Sequence, residues 1–273
     1  MAALQILVNR WLRSTQLHVD GIWGSETQIR VAEVNRRISA PGGGERAGAE
    51  TWAALIDRTP VSIISANDIY DPRHDEFTPP ELRGPGWIAS SGMSGGVGQV
   101  VRDIERRTRA LGPVALLRFF GHGAPGLMGV TGGTGTMRGS GGETIYQDST
   151  GRELERDQRP HDRWGQAIRG DHVRDQTTLS NETFRLVEPQ LARLRDHFTP
   201  YGSVELHGCR VGLGSAGRRL LRSVADTMGV PASAGRGSQS FGRTTSLRFE
   251  GSVQTVFPAG ENLRSWTSGL PDR

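Results

Sequence analysis

Lysine is absent from the sequence, so arginine supplies all 33 basic residues. Because arginine hardly titrates, the pI is near 10.1 although the formal net charge is only +4. The arginines form no long basic run and are not interleaved with aromatic residues, which are the usual signs of a nucleic-acid-binding surface. The composition therefore does not predict nucleic acid as a partner.

Cysteine is almost absent as well. It occurs once, at Cys209, which excludes an intramolecular disulfide and says little about the cellular compartment. No apolar run approaches the length of a membrane span, so we expect no membrane-spanning helix. Residues 1–13 lack the basic start, the long apolar core and the small-residue cleavage site of a Sec signal. Two locations stay open, namely the cytoplasm and a compartment reached by a non-Sec route.

After residue 59, strand-like and helix-like patterns alternate along the chain. This alternation predicts an α/β fold with a mainly parallel sheet and helices on both of its faces. The predicted strands lie at 61–66, 114–120, 203–206 and 230–234, with a hairpin at 247–257 that turns at 250–251. The predicted helices lie at 97–111, 187–198 (with Pro189 in the first turn) and 220–228. Residues 124–177 are too long for an ordinary connection, so we interpret them as a glycine-rich insertion that frames a crevice, with Trp164 as a candidate anchor.

Two of the predicted strands end in residues that carry chemistry. The stretch Ser203–Gly212 reads Ser-Val-Glu-Leu-His-Gly-Cys-Arg-Val-Gly, which is typical of a strand, a tight turn and a thiol before a helix. The apolar run at 114–120 continues into Gly-His-Gly, so His122 follows one strand as Cys209 follows the other. Chemistry in open α/β sheets gathers at the carboxyl ends of the strands. We therefore predict that the two side chains follow adjacent parallel strands and face a common cleft.

This pair predicts a nucleophile and its proton-transfer partner. Cys209 would attack a carbonyl carbon, and His122 would assist its ionisation or protonate the leaving amine. His207 is the rival histidine, and we assign it with Glu205 to a supporting or core position, while Asp171 is a weaker candidate for an orienting group. A lone cysteine is usually a small buried hydrophobe and a lone histidine is usually structural, so the pair carries more weight than either residue.

The order of these residues in the chain narrows the enzyme class, because all seven histidines precede Cys209. Papain-like enzymes place the cysteine before the histidine, and that order is impossible here. A histidine-first order leaves the caspase-like proteins and the chymotrypsin-like or adenovirus-type cysteine proteases. The chymotrypsin-like option needs an all-β chain, and the helical stretches argue against it.

Two motifs resemble those of a known family. Gly-His-Gly-Ala-Pro-Gly at 121–126 and Leu-His-Gly-Cys-Arg-Val-Gly at 206–212, with a Gly-x-x-Leu-Leu helix after them, resemble the bacterial caspase-like (clan CD) cysteine peptidases. The resemblance covers about residues 60–257 and implies a caspase-like domain at 59–273 with a Cys/His dyad and neither cofactor nor metal. It also implies that the backbone N–H groups of Gly123 and Cys209 bind the developing oxyanion.

The residues before this region predict a separate three-helix unit at 1–58. Its helices flank a turn that reads Asp-Gly-Ile-Trp-Gly, and Ser25 stands as a cap with Gln28 in capping-box spacing. Val-Asp-Gly-Ile-Trp-Gly-x-x-Thr, a helix and then Ala-x-Thr-Trp-x-Ala-Leu resemble the peptidoglycan-binding domain that accompanies many cell-wall enzymes. The resemblance implies a wall-binding module, whose candidate binding residues are Asp20, Gly21, Ile22 and Trp23. The alternative is a docking bundle without a glycan ligand.

Three functions follow from these patterns. The first is a cysteine endopeptidase that acts on a protein or peptide substrate, carries a wall-binding or docking module, and works in the cytoplasm or as an exported bacterial effector. The second is a non-catalytic peptidoglycan-binding or interaction protein. The third is a zinc-dependent peptidoglycan hydrolase, which is disfavoured because no His-Glu-x-x-His or similarly tight ligand spacing occurs.

Overall fold

The fold was determined as a computed structural model. It describes residues 1–13, 16–20, 23–40, 44–57, 60–68, 84–90, 96–131, 136–138, 144–146, 177–239 and 249–271. The strands are β1 Ser62–Asn67, β2 Trp87–Ala89, β3 Val114–Phe120, β4 Gly123–Ala124, β5 Leu127–Gly129, β6 Thr136–Arg138, β7 Thr144–Tyr146, β8 Thr178–Ser180, β9 Phe198–His207, β10 Ala232–Gly235 and β11 Val253–Val256. The helices are α1 Ala2–Leu12, α2 Ser25–Arg37, α3 Ala49–Ile56, α4 Gly96–Leu111, α5 Phe184–Ala192, α6 Gly214–Met228 and α7 Leu263–Ser268, with short 3₁₀ turns at Arg195–His197 and Pro258–Gly260.

A six-stranded sheet forms the centre of the fold, in the order β2-β1-β3-β9-β10-β11. Its first five strands are parallel, and β11 is antiparallel to β10 at one edge. The apolar run of β3 is buried in the middle of the sheet, as a continuous apolar strand of a parallel sheet should be. The predicted α/β class with a mainly parallel sheet is therefore confirmed.

One face of this sheet packs against α4, α5 and α6. Alternate residues of the central strands, such as Leu117, Phe119 and Leu206, point to this face and are fully buried with the apolar stripes of the three helices. The chain crosses from β2 to β3 through α4 and from β9 to β10 through α6. Both crossovers run in the same direction along the sheet, which places the two helices on the same side of it. The larger hydrophobic core lies between these layers.

The opposite face of the sheet carries the N-terminal helices. Leu4, Leu7 and Val8 of α1 share a second hydrophobic cluster with Ala115 of β3 and Tyr201 of β9. Trp266 of the C-terminal α7 belongs to the same cluster, so both ends of the described chain cover this face. The boundary between 1–58 and 59–273 stays a prediction, but the three helices bury their apolar faces against the sheet as well as against one another.

Several local predictions were wrong. Helix α5 ends at Ala192 and Phe198 begins β9, so the helical pattern of 187–198 extended too far, and Pro189 lies inside the helix instead of in its first turn. Strand β11, the second arm of the predicted hairpin at 247–257, pairs with β10, and residues 249–250 belong to no strand. Residues 247–248 of the first arm lie outside the described residues. Helix α2 begins at Ser25, which makes Gly24 the cap.

The described parts of the 124–177 insertion lie in small sheets beside the main one. Strands β4, β5 and β8 form a three-stranded antiparallel sheet, and β6 pairs with β7. Strand β4 begins at Gly123, with only Gly121 and His122 between it and the end of β3, so this small sheet lies next to the predicted site. Trp164, the candidate anchor, is outside the described residues.

Candidate active site

The two predicted reactive residues follow neighbouring strands. In the parallel pair β3–β9, Phe120 lies opposite His207, and the Gly121 N–H donates to the His207 carbonyl oxygen at 3.2 Å. His122 and Cys209 each stand two residues beyond this last matched pair. The prediction that they follow adjacent parallel strands is thus confirmed, and both lie at the carboxyl edge of the sheet.

Gly123 lies directly on the backbone of Cys209. A Cβ at position 123 would stand 2.9 Å from the Cys209 carbonyl oxygen, 3.0 Å from its nitrogen and 2.4 Å from a methyl carbon of Val211. Real Cβ atoms essentially never make contacts this short, so no side chain fits at position 123. Glycine at this position therefore allows the loop after β3 to lie against the loop after β9. The segment that carries His122 is therefore packed against the segment that carries Cys209.

The side chains of the pair differ in exposure. The His122 imidazole is exposed, whereas Cys209 is half-buried. The Cys209 thiol makes two contacts with one residue, because Sγ accepts from the Gln239 N–H at 3.3 Å and donates to the Gln239 carbonyl oxygen at 3.4 Å. The histidine is thus open to solvent, and the thiol is held by the loop that follows β10.

His207, the rival histidine, lies in the interior. Its ring stacks between Phe120 at 4.6 Å and Phe249 at 4.3 Å, and its Nε2 is 3.0 Å from Oε2 of Glu205. The same carboxylate oxygen accepts from Nε of Arg118 at 3.2 Å. We call Arg118, Glu205 and His207 the buried trio.

The charges within the buried trio follow from its contacts. Burial by itself would raise the pKa of Glu205, but the hydrogen bond from His207 and the charge of Arg118 outweigh it and lower that pKa to about 2. Burial also lowers the pKa of His207, and the partly opposing pull of Glu205 does not reverse this. At neutral pH the trio therefore contains a carboxylate, a guanidinium and a neutral imidazole that donates through Nε2.

Sequence reasoning missed three residues around the pair. Arg118 is the one charged residue of β3, and aligning the ends of β3 and β9 would have placed it opposite Glu205, one of the predicted supporting residues. Asp68 follows β1 and is 4% exposed, and its N–H donates to the Phe120 carbonyl oxygen at 2.8 Å. It lies where the strand order reverses between β1 and β3, a usual place for ligand crevices in α/β sheets. No sequence pattern indicates that Gln239 contacts the thiol, because it lies 30 residues from Cys209.

The candidate peptidoglycan-binding residues are only partly described. Asp20 accepts from Nε2 of Gln5 at 2.7 Å and lies 3.9 Å from the exposed His18. Trp23 is half-buried and packs against the cluster that the N-terminal helices share with the sheet. Gly21 and Ile22 lie outside the described residues, as does Asp171. Asp20 and Trp23 thus both contribute to the packing of the helical unit.

Comparison with known proteins found no match. No protein-family model, no curated protein and no solved structure matches the chain. Within the described ranges, no group of three or more His, Cys, Asp or Glu side chains is arranged to hold a metal ion. None of the described helices is both long enough and apolar enough to cross a membrane.

Proposed function

We propose that this protein is a cysteine endopeptidase in which Cys209 is the nucleophile and His122 the proton-transfer residue. The observation that carries the proposal is the placement of both residues just beyond two adjacent parallel strands, with Gly123 packed on the Cys209 backbone. Two loops that are packed together at the carboxyl edge of a sheet keep a fixed spacing, which a two-residue reaction requires.

The proposed reaction has two halves. His122 takes the thiol proton, the sulfur bonds to the substrate carbonyl carbon, and the tetrahedral oxyanion collapses as the C–N bond breaks. His122 gives its proton to the leaving amine, and an acyl-thioester remains on Cys209. Water then attacks the thioester, with His122 accepting its proton, and the carboxylic acid product and the free thiol are released. The N–H groups of Gly123 and Cys209 are the proposed oxyanion donors, since the two residues are in backbone contact.

The test is cleavage of a diverse peptide library by the full chain, compared with Cys209→Ala and His122→Ala. His18→Ala is the matched control, because His18 is an exposed histidine of the N-terminal unit, far along the chain from Cys209. We expect cleavage by the parent and the control, and a loss of at least about 10³-fold in kcat/KM for the two active-site variants. Cleavage that survives Cys209→Ala would overturn the proposal, and metal analysis of that sample would then test the zinc hydrolase alternative.

The resemblance of the first unit extends this proposal to the cell wall. We propose that residues 1–58 recruit the peptidase to peptidoglycan, with Trp23 and the turn around it as the contact. The full chain is the proper sample, since α1 is buried against the sheet. We expect it to sediment with insoluble peptidoglycan and Trp23→Ala to sediment less, at a temperature at which both proteins are shown to be folded. A folded parent that stays in the supernatant would leave residues 1–58 as a docking bundle for another partner.

A further inference from the structure

Gln239 is a buried polar residue whose side chain bonds to backbone atoms on both sides of the undescribed segment 240–248. It is 7% exposed, and its carboxamide nitrogen donates to the carbonyl oxygens of Ser238 at 3.0 Å, Glu250 at 3.1 Å and Gly237 at 3.3 Å. Its carboxamide oxygen accepts from the Glu250 N–H at 2.9 Å. The side chain thus joins the loop after β10 to both backbone groups of Glu250, a residue that lies 11 positions further along the chain.

The backbone of the same residue contacts the thiol. Both the N–H and the carbonyl oxygen of Gln239 are within hydrogen-bonding range of Cys209 Sγ. The loop runs alongside the segment after Cys209, because the N–H groups of Arg210 and Gly212 donate to the carbonyl oxygens of Gly237 at 2.8 Å and Gly235 at 2.9 Å. The position of the sulfur therefore depends on the conformation of residues 237–239.

Glycine at position 235 shows how closely the carboxamide is packed. A Cβ there would stand 2.5 Å from Nε2 of Gln239, so the amide lies flat against the main chain of β10. A buried amide with all of these bonds has one favoured orientation, since any rotation leaves buried groups unsatisfied. The orientation of the side chain in turn fixes the peptide group that contacts the sulfur.

We propose that Gln239 is a positioning residue for Cys209. Its carboxamide anchors the loop after β10 to Glu250, and the anchored loop presents its own N–H and carbonyl oxygen to the thiol. The role of the thiol in peptide cleavage rests on the function proposed above, whereas the holding of the thiol by Gln239 does not. Asparagine at this position would be one methylene too short, and glutamate would lack the N–H donors.

The single cysteine allows a direct test, because alkylation of the folded chain by iodoacetamide reports on Cys209 alone. The variant is Gln239→Met, which keeps the length of the side chain and removes its hydrogen bonds. Gln254→Met is the matched control, since Gln254 lies on β11 and, among the described residues, its amide bonds only to the neighbouring Thr255 carbonyl. Val256→Ala is the second control, because it truncates a buried residue of the same strand and shows what general destabilisation does.

We expect Gln239→Met to raise the alkylation rate about tenfold, because the thiol loses the peptide group that engages it. Against a peptide that the parent cleaves, we expect kcat to fall on the order of 10²-fold with little change in KM, since a thiol out of position weakens chemistry more than binding. An alkylation rate equal to that of the parent or of Val256→Ala would overturn the proposal, as would an unchanged kcat. If the parent cleaves no peptide, the peptidase proposal fails, and the alkylation rates alone decide the role of Gln239.

Discussion

Neutralising Glu205 should make the protein less stable by an amount that depends on pH. The change is Glu205→Gln, which keeps the shape of the side chain and an oxygen that can accept from Arg118 and His207. Glu205 is 8% exposed, and its pKa is lowered from 4.5 to about 2, mainly because the hydrogen bond from His207 and the charge of Arg118 outweigh the effect of burial. At about 1.4 kcal/mol per pKa unit, the ionised carboxylate stabilises the fold by roughly 3 kcal/mol relative to its neutral form.

The sign of the pH dependence follows from the direction of the shift. Because the folded-state pKa of Glu205 lies below its unfolded value of 4.5, the contribution is complete above about pH 5 and is lost as the pH falls toward 2. We expect the variant to be less stable than the parent by about 3 kcal/mol at pH 7 and by roughly 1 kcal/mol at pH 3. Burial lowers the pKa of His207, so His207 also favours unfolding in acid. This contribution cancels from the difference at each pH at which the imidazole is neutral in both folded proteins.

Urea unfolding monitored by tryptophan fluorescence at several pH values between 3 and 7 measures this difference. Trp52 of α3 and Trp266 of α7 are buried in the hydrophobic cluster between the N-terminal helices and the sheet, so their fluorescence reports on the loss of that packing. A difference between parent and variant that stays constant across this range would refute the argument that Glu205 is ionised in the fold and protonated in the unfolded chain. A variant as stable as the parent at pH 7 would show that the contacts of the buried trio do not stabilise the ionised carboxylate of Glu205 by the expected amount.

Three further predictions concern packing. Gly123→Ala should lower kcat/KM on the order of 10²-fold, because its Cβ would meet Val211 and the Cys209 backbone, while Gly98→Ala on α4, whose Cβ has ordinary contacts, should keep full activity in the same assay. Leu7→Ala should cost about 2–5 kcal/mol in one cooperative urea transition, because Leu7 is fully buried in the cluster that joins α1 to the sheet, and two separate transitions would contradict that shared core. Gly112→Ala should cost more than Gly251→Ala in thermal unfolding, because both have positive φ but only Gly112 would bring a Cβ within 2.2 Å of a carbonyl oxygen, that of Pro60. Equal losses of stability for the two variants would show that the positive φ, and not the contact with Pro60, determines the cost.

Local sequence patterns predicted the central strand and two of the helices, because the burial of each element requires a distinct arrangement of apolar residues. The run at 114–120 has almost no polar residue, so it fits only a strand buried on both faces, and β3 has those bounds. The stripes of α4 and α6 repeat at helical spacing and were recognisable for the same reason. Helix α5 was less predictable, because apolar residues at helical spacing continue past its end at Ala192 through a 3₁₀ turn into β9.

Of the candidate site, the two proposed reactive residues were predictable from the sequence, whereas most of the contacts around them were not. His122 and Cys209 were found because each follows a strand, and strand ends in a parallel sheet meet at one edge. The contacts that support them come from distant parts of the chain. Gln239 reaches the thiol from a loop, and Phe249 reaches His207 from the segment before β11. Neither residue type carries a pattern of its own, so only the folded chain shows that they meet.

These distant contacts connect the buried trio to the thiol through one short segment. His207 is held flat against Phe249. The next residue, Glu250, accepts one hydrogen bond from the Gln239 carboxamide and donates another to it, and these two bonds anchor Gln239. A buried ion pair is commonly no more stabilising than apolar residues of the same size, so stability alone is a weak reason for one to lie at the centre of a sheet. In this protein the pair fixes the orientation of a neutral imidazole, and the imidazole stacks on the segment that anchors the loop around Cys209. The polarity of the sheet interior is therefore tied to the geometry of the proposed active site.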